Sequence, residues 1–212
     1  MGTSNLLLAF DLIGIFVFAI AGALAAVEKD LDVFGLVVIA GVSAIGGGLI
    51  RDLLLGFTPP AAFRDSRYLI TPAIAAVLVF YLHRHVHRLR VVLMVLDAAG
   101  LALFTAGGVE KALTFRLGPF AAVGIGVIAA IGGGVLRDVL LREIPLVLRK
   151  EIYAVASVVG AVVLVIGSKL EVERTLRSLT AIAIVFAIRV VAVQRAWDAP
   201  RPKPIDGDIN LP

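Results

Sequence analysis

The chain has no cysteine, one tryptophan, three histidines and only 17% charged residues over 212 positions. Without cysteine there can be neither a disulfide framework nor a thiolate metal site. No His-Glu-x-x-His pattern occurs and no motif pairs a nucleophile with a base, so nothing points to an enzyme and no cofactor is expected. The formal charge of +4 is spread over short connecting stretches, without a basic stripe or aromatic platform, which argues against nucleic acid as a partner. His83, His85 and His87 alternate with Arg84 and Val86, but no carboxylate lies beside them in sequence. They read as a solvated basic cap and not as a metal centre.

Apolar residues are plentiful instead. They make up 60% of the chain, against about 45–50% in soluble domains, and the mean hydropathy is +1.01. A crossing helix needs about 20 largely apolar residues. Runs of that kind, two of them short, cover 5–27, 33–57, 69–82, 91–109, 117–141, 152–167 and 179–197. The expected fold is an all-α membrane protein with seven transmembrane helices. The first run lacks a basic flank and exceeds the about 7–15 residues of a leader's apolar core, so it reads as a crossing. One membrane domain is expected over 1–197, with a loose Pro-rich tail at 198–212.

Within this domain the sequence repeats itself. Ile45-Gly46-Gly47-Gly48-Leu49-Ile50-Arg51-Asp52 returns 86 residues later as Ile131-Gly132-Gly133-Gly134-Val135-Leu136-Arg137-Asp138. The same offset relates Asp11 to Asp97, Gly14 to Gly100, Phe18 to Phe104, Gly22 to Gly108 and Pro59 to Pro145. Repeat 1 covers about 5–82 and repeat 2 about 91–167, each with three crossings. An odd number of crossings delivers the second copy upside down, so the halves are expected to be inverted repeats about an axis in the membrane plane, with 179–197 as one extra helix. Counting basic residues by side, with Arg51 and Arg137 near the ends of their spans included, gives eleven on the side of the C terminus and eight on the other. By the positive-inside rule this puts the N terminus outside and the C terminus in the cytoplasm.

Three consecutive glycines weaken a helix by roughly 1 kcal/mol each relative to alanine. Gly46, Gly47, Gly48 and Gly132, Gly133, Gly134 fall near the middle of their spans, where kinks would free carbonyls to line a polar path. The alternative is close backbone packing between helices. Buried charges follow each triplet. Successive residues on a helix point about 100° apart, so Arg51 is expected to find its partner elsewhere than at Asp52: at Asp138 by symmetry, with Arg137 taking Asp52, or at Asp11 and Asp97. Snorkelling of both arginines to headgroups is the competing possibility. Asp11 and Asp97, too short to snorkel, are the preferred cation-attracting residues. Arg189 remains open between lipid anchor, subunit contact and pairing residue. Glu110-Lys111 read as a solvated helix end, and Tyr68 and Tyr153 as interfacial anchors.

Two copies of Gly-Gly-Gly-x-x-Arg-Asp, each on the second helix of a three-helix repeat and followed by one more helix, resemble the prokaryotic members of the trimeric intracellular cation (TRIC) channel family. The same pattern is also labelled a bacterial "glycine transporter" domain. The resemblance implies a homotrimer in the cell membrane of a prokaryote, with a separate pore in each protomer and membrane lipid around it. It also implies passage of monovalent cations, chiefly potassium, past glycine kinks in helices 2 and 5, with Arg51, Asp52, Arg137 and Asp138 beside them. The Lys-Glu-Val signature of the animal members, tied to lipid binding, is absent. The runner-up function is a secondary transporter of a small solute such as glycine.

Overall fold

A computed structural model describes residues 2–85, 89–149 and 152–195. His87 and the tail at 198–212, expected to be loose, lie outside them, whereas His83 is described, with Nδ1 2.8 Å from the Phe80 carbonyl oxygen. Among the described residues the chain forms nine α-helices and a 3-10 turn: α1 (Gly2–Val27), α2 (Val33–Leu54), α3 (Ala61–Arg64), α4 (Arg67–Leu82), α5 (Leu89–Thr114), α6 (Pro119–Leu140), α7 (Leu146–Arg149), α8 (Ile152–Lys169) and α9 (Arg174–Gln194). Six of them carry segments long and apolar enough to cross a bilayer: Leu8–Val27, Val33–Leu54, Val91–Thr114, Pro119–Leu140, Ile152–Lys169 and Arg174–Gln194. The third expected crossing, α4, has only 16 residues, about 24 Å at 1.5 Å per residue.

The helix ends follow local chemistry. Asp32 caps α2 by accepting from the Gly35 amide at 2.8 Å, whereas α6 opens with Pro119 in its first turn. Both close in the same way. The Phe57 amide returns to the Asp52 carbonyl, and the Glu143 amide to the Asp138 carbonyl, each at 2.8 Å. The residues before them, Gly56 and Arg142, adopt positive φ, the left-handed turn that satisfies the last carbonyls of a helix. Asp52 and Asp138 are thereby held in matching last turns.

The short connections at 28–32 and 115–118 make α1/α2 and α5/α6 hairpins, and the two hairpins pack through α1 against α5 and α2 against α6. Small residues line these contacts, as expected where lipid supplies no hydrophobic drive between helices. Nineteen residues form the largest buried cluster, ten of them alanines, among them Ala19, Ala40, Ala44, Ala102 and Ala130. Phe18 covers Gly100, its counterpart in the second repeat, Phe104, covers Gly14, and the two rings stack at 5.4 Å. Large apolar side chains such as Phe120, Tyr81 and Leu148 face outward, which suits a lipid surround.

The triplets do not open their helices. Both α2 and α6 remain α-helical through them, because the glycines serve contact. A Cβ on Gly47 would run into the carbonyl oxygen of Ala129, and one on Gly133 into that of Ser43. The close approach of two helix backbones fixes those glycines. Only Gly48 and Gly134 turn elsewhere, toward Arg51 and Arg137.

Candidate functional site

Arg51 and Arg137 anchor two similar clusters, both buried in the protein and neither snorkelling. In the first, Arg51 is 2% exposed. Its two terminal nitrogens donate to Asp11 Oδ1 and Oδ2 at 2.8 and 3.0 Å, and its Nε donates to Asp52 Oδ1 at 2.8 Å. In the second, Arg137 donates to Asp97 Oδ1 at 3.1 Å and to Asp138 Oδ1 at 2.9 Å. Pairing therefore stays within each half, and the expected exchange of Arg51 with Asp138 and Arg137 with Asp52 is not what forms. The adjacent Arg51–Asp52 pair forms despite the helical angle because the long guanidinium bends back along its own helix. A planar fork with five donors can bridge two carboxylates at once.

Each second aspartate also holds a loop. Asp52 Oδ2 accepts from the Ala61 amide and Asp138 Oδ2 from the Leu146 amide, both at 2.9 Å. The short helices α3 and α7 are thus tied to the charged clusters by equivalent bonds. Tyr68 and Tyr153 are buried, at 8% and 2% exposure, and not interfacial. Tyr68 donates to Asp11 Oδ2 at 3.0 Å.

The clusters differ in what surrounds them. At the first, Lys111 reaches across from α5 to Asp52 Oδ1 at 2.7 Å. Its Nζ also lies 4.3 Å from the Phe57 ring centroid, as does the Arg64 guanidinium carbon. The space left beside Arg51 and Asp52 is about 10 Å³, roughly the minimum for one water. At the second, a cavity of about 700 Å³ runs in to Asp97, Arg137 and Asp138 from the 28–29 and 141–146 connections. Lys29 and Glu143 form an ion pair at its mouth. The Glu143 carboxyl, outside the spans, is held below the usual carboxylate range by its bond from Lys29.

Glu110 and Lys111 are accordingly no solvated helix end. Glu110 is 1% exposed, bound by Arg177 through Nε and Nη2 at 2.7 and 3.1 Å and by Ser178 at 3.3 Å. Arg174 adds a 2.7 Å ion pair. Arg189 points inward: it is 4% exposed and its guanidinium carbon lies 4.6 Å over the Tyr153 ring centroid. A usable signal for Lys111 was present in the sequence. It stands where the first copy has Ala25, and a charge that breaks a repeat inside an apolar run needs a reason. Among the described residues no group of three or more metal-binding side chains forms.

The family model described as "Glycine transporter" matches residues 8–84 and again 94–169, one stretch in each half. A UPF0126 membrane protein of Vibrio cholerae is 46% identical over 160 residues, 75% of this chain and 67% of that one. A UPF0126 membrane protein of Streptomyces coelicolor is 44% identical over 197 residues, covering 92% and 90%. Among solved structures, the TRIC orthologue from Rhodobacter sphaeroides superimposes with a TM-score of 0.86 at 36% identity, over 90% of this chain and 98% of that one. With its apolar helices and duplicated charged clusters, the chain is a multi-pass membrane protein of the prokaryotic TRIC cation channel family.

Proposed function

We propose that this protein is a potassium-permeable monovalent cation channel, acting as a homotrimer in the bacterial cell membrane with one pore in each protomer. The carrying observation is the pairing of two buried Asp-Arg-Asp clusters with a large cavity that reaches one of them. Ionisable residues inside a membrane domain mark ion pathways, and in each triad two aspartates outnumber one arginine, an excess that Lys111 offsets at the first.

In this reading α1, α2 and α4 form the first repeat and α5, α6 and α8 the inverted second. All seven of these helices, with α9 as the unpaired one, cross the bilayer. The N terminus faces outside. The triads then stand toward opposite faces, and the route between them passes Gly48 and Gly134 beside the α2–α6 contact. The constriction is the first triad, where the Lys111 ammonium holds the position on Asp52 that a passing cation needs. Gating is a movement at this point, with the glycine contact as the sliding surface, and not an unwinding of α2 or α6.

The test is the purified protein in a planar bilayer under opposed potassium and sodium gradients, with no other solute. Resolved unitary currents reversing toward the potassium potential are expected, and K111Q should raise open time or conductance. Saturable uptake without unitary events would replace the channel with a carrier of a small solute.

A further inference from the structure

Building on the channel reading, we infer that Asp97 is the cation-binding carboxylate of the large cavity and that Arg189 is a tethered cation competing for it. The two triads are not equally finished. Each is faced by one extra cation that the duplication did not supply: Lys111, standing where the first copy has Ala25, and Arg189, on a helix outside the repeat. At the first triad every carboxylate oxygen is occupied. Asp11 takes a fork from Arg51 and a bond from Tyr68, and Asp52 takes Arg51, Lys111 and the Ala61 amide.

The second triad leaves three polar atoms over. Asp97 Oδ2 and Arg189 Nε are buried without a hydrogen bond of good geometry among the described residues, and Tyr153 Oη lies beside Asp97 without a well-formed one. Asp97 and Arg189 line the same cavity. Buried polar atoms are rarely left unpaired, and each one that is calls for an explanation. Here the orphans are complementary. A carboxylate oxygen accepts, a guanidinium donates and keeps its proton at any working pH, and the phenol oxygen can serve either. Arg189 rests instead on the face of Tyr153 in a buried cation–π contact.

A potassium ion in the cavity would be held by the Asp97 carboxylate through Oδ2. Arg189, swinging off the ring, would take the same carboxylate oxygen and plug the cavity, as Lys111 does at the other end. Both cannot hold it together. The repulsion from Arg189 also lowers the local concentration of cations, an effect strongest when screening is weak.

Wild type, R189K, R189Q and R189M are compared as single channels at about 10 mM and about 1 M KCl, where the Debye length changes from roughly 30 to 3 Å. R189Q and R189M should carry about two- to fivefold more current than wild type in dilute salt, converging to within about 1.5-fold in concentrated salt. R189K, which keeps the charge, should stay at or below wild type in dilute salt. Equal currents at both concentrations overturn the inference. So does a gain of the same factor at both, which would mean a wider passage. A second readout needs no current: thermal stabilisation by KCl against choline chloride, whose half-point should fall several-fold in R189Q and R189M. An unchanged half-point overturns the inference, as does failure of both variants to assemble, which would make Arg189 a structural partner. Absence of wild-type current would defeat the channel reading alone, leaving the melting comparison to decide the competition.

Discussion

Alanine substitution along one glycine triplet should have opposite effects at adjacent positions. Helix propensity alone favours alanine over glycine by about 1 kcal/mol at any of them. At Gly48 the new methyl would meet Phe104 at 3.8 Å and Arg51 at 3.9 Å, ordinary contacts, so most of that gain should be kept. At Gly47 it would strike the Ala129 carbonyl oxygen, and at Gly133 that of Ser43. Neither obstacle is a side chain able to rotate away, so α2 and α6 would have to part by roughly an ångström, forfeiting a quarter to a half of the dispersion attraction across that contact. Overpacking of this kind costs about 1–3 kcal/mol. The propensity gain is common to both positions and cancels, so G47A and G48A should differ by about 1–3 kcal/mol. Thermal unfolding of the detergent-solubilised protein, followed by circular dichroism and by loss of the oligomer peak, measures the difference. G134A should be milder than G133A for the same reason, with Tyr153 Oη 3.4 Å from its methyl. If G47A melts with G48A, or G133A with G134A, the close approach of α2 and α6 is wrong.

Three further outcomes are expected. R51M leaves Asp11 buried without its cation and Asp52 with Lys111 alone, and should cost about 3–5 kcal/mol; adding D11N should restore part of it, with a coupling of about 0.5–3 kcal/mol in a double-mutant melting cycle. R177A should destabilise more than R174A, because Arg177 grips Glu110 with two hydrogen bonds, whereas Arg174 Nε pairs without hydrogen-bond geometry; the same melting assay ranks them. The link between Lys29 and Glu143 should persist through neutral pH. Its carboxyl titrates lower in the folded chain than free, so its contribution is present above the unfolded value of about 4.3 and fades as pH falls through the lower folded value. An acid titration of melting temperature in wild type against E143Q checks the sign.

Much of this could be read from residue order. Apolar runs marked the helices because a span must hide its backbone from lipid. The duplication marked Asp11, Arg51 and Asp52 with their mirror residues, because an intramembrane charge kept in both copies is costly unless used. Tyr68 and Tyr153 were misassigned for the opposite reason: a tyrosine near a span end looks the same in sequence whether its hydroxyl meets headgroups or a buried aspartate. Arg51–Asp52 was misjudged because helical angle constrains Cβ directions, while a long guanidinium answers to whichever acceptors the neighbouring helices bring.

Sequence alone thus determined the apolar class, the repeat and the set of charges inside it, since each depends on composition and spacing along one chain. Tertiary structure decided which acid each arginine takes, that the glycines join α2 to α6, and that Lys111 binds one cluster while the other opens on a cavity. Those outcomes depend on distances between helices far apart in the chain, where an ångström separates a packed backbone from a passage.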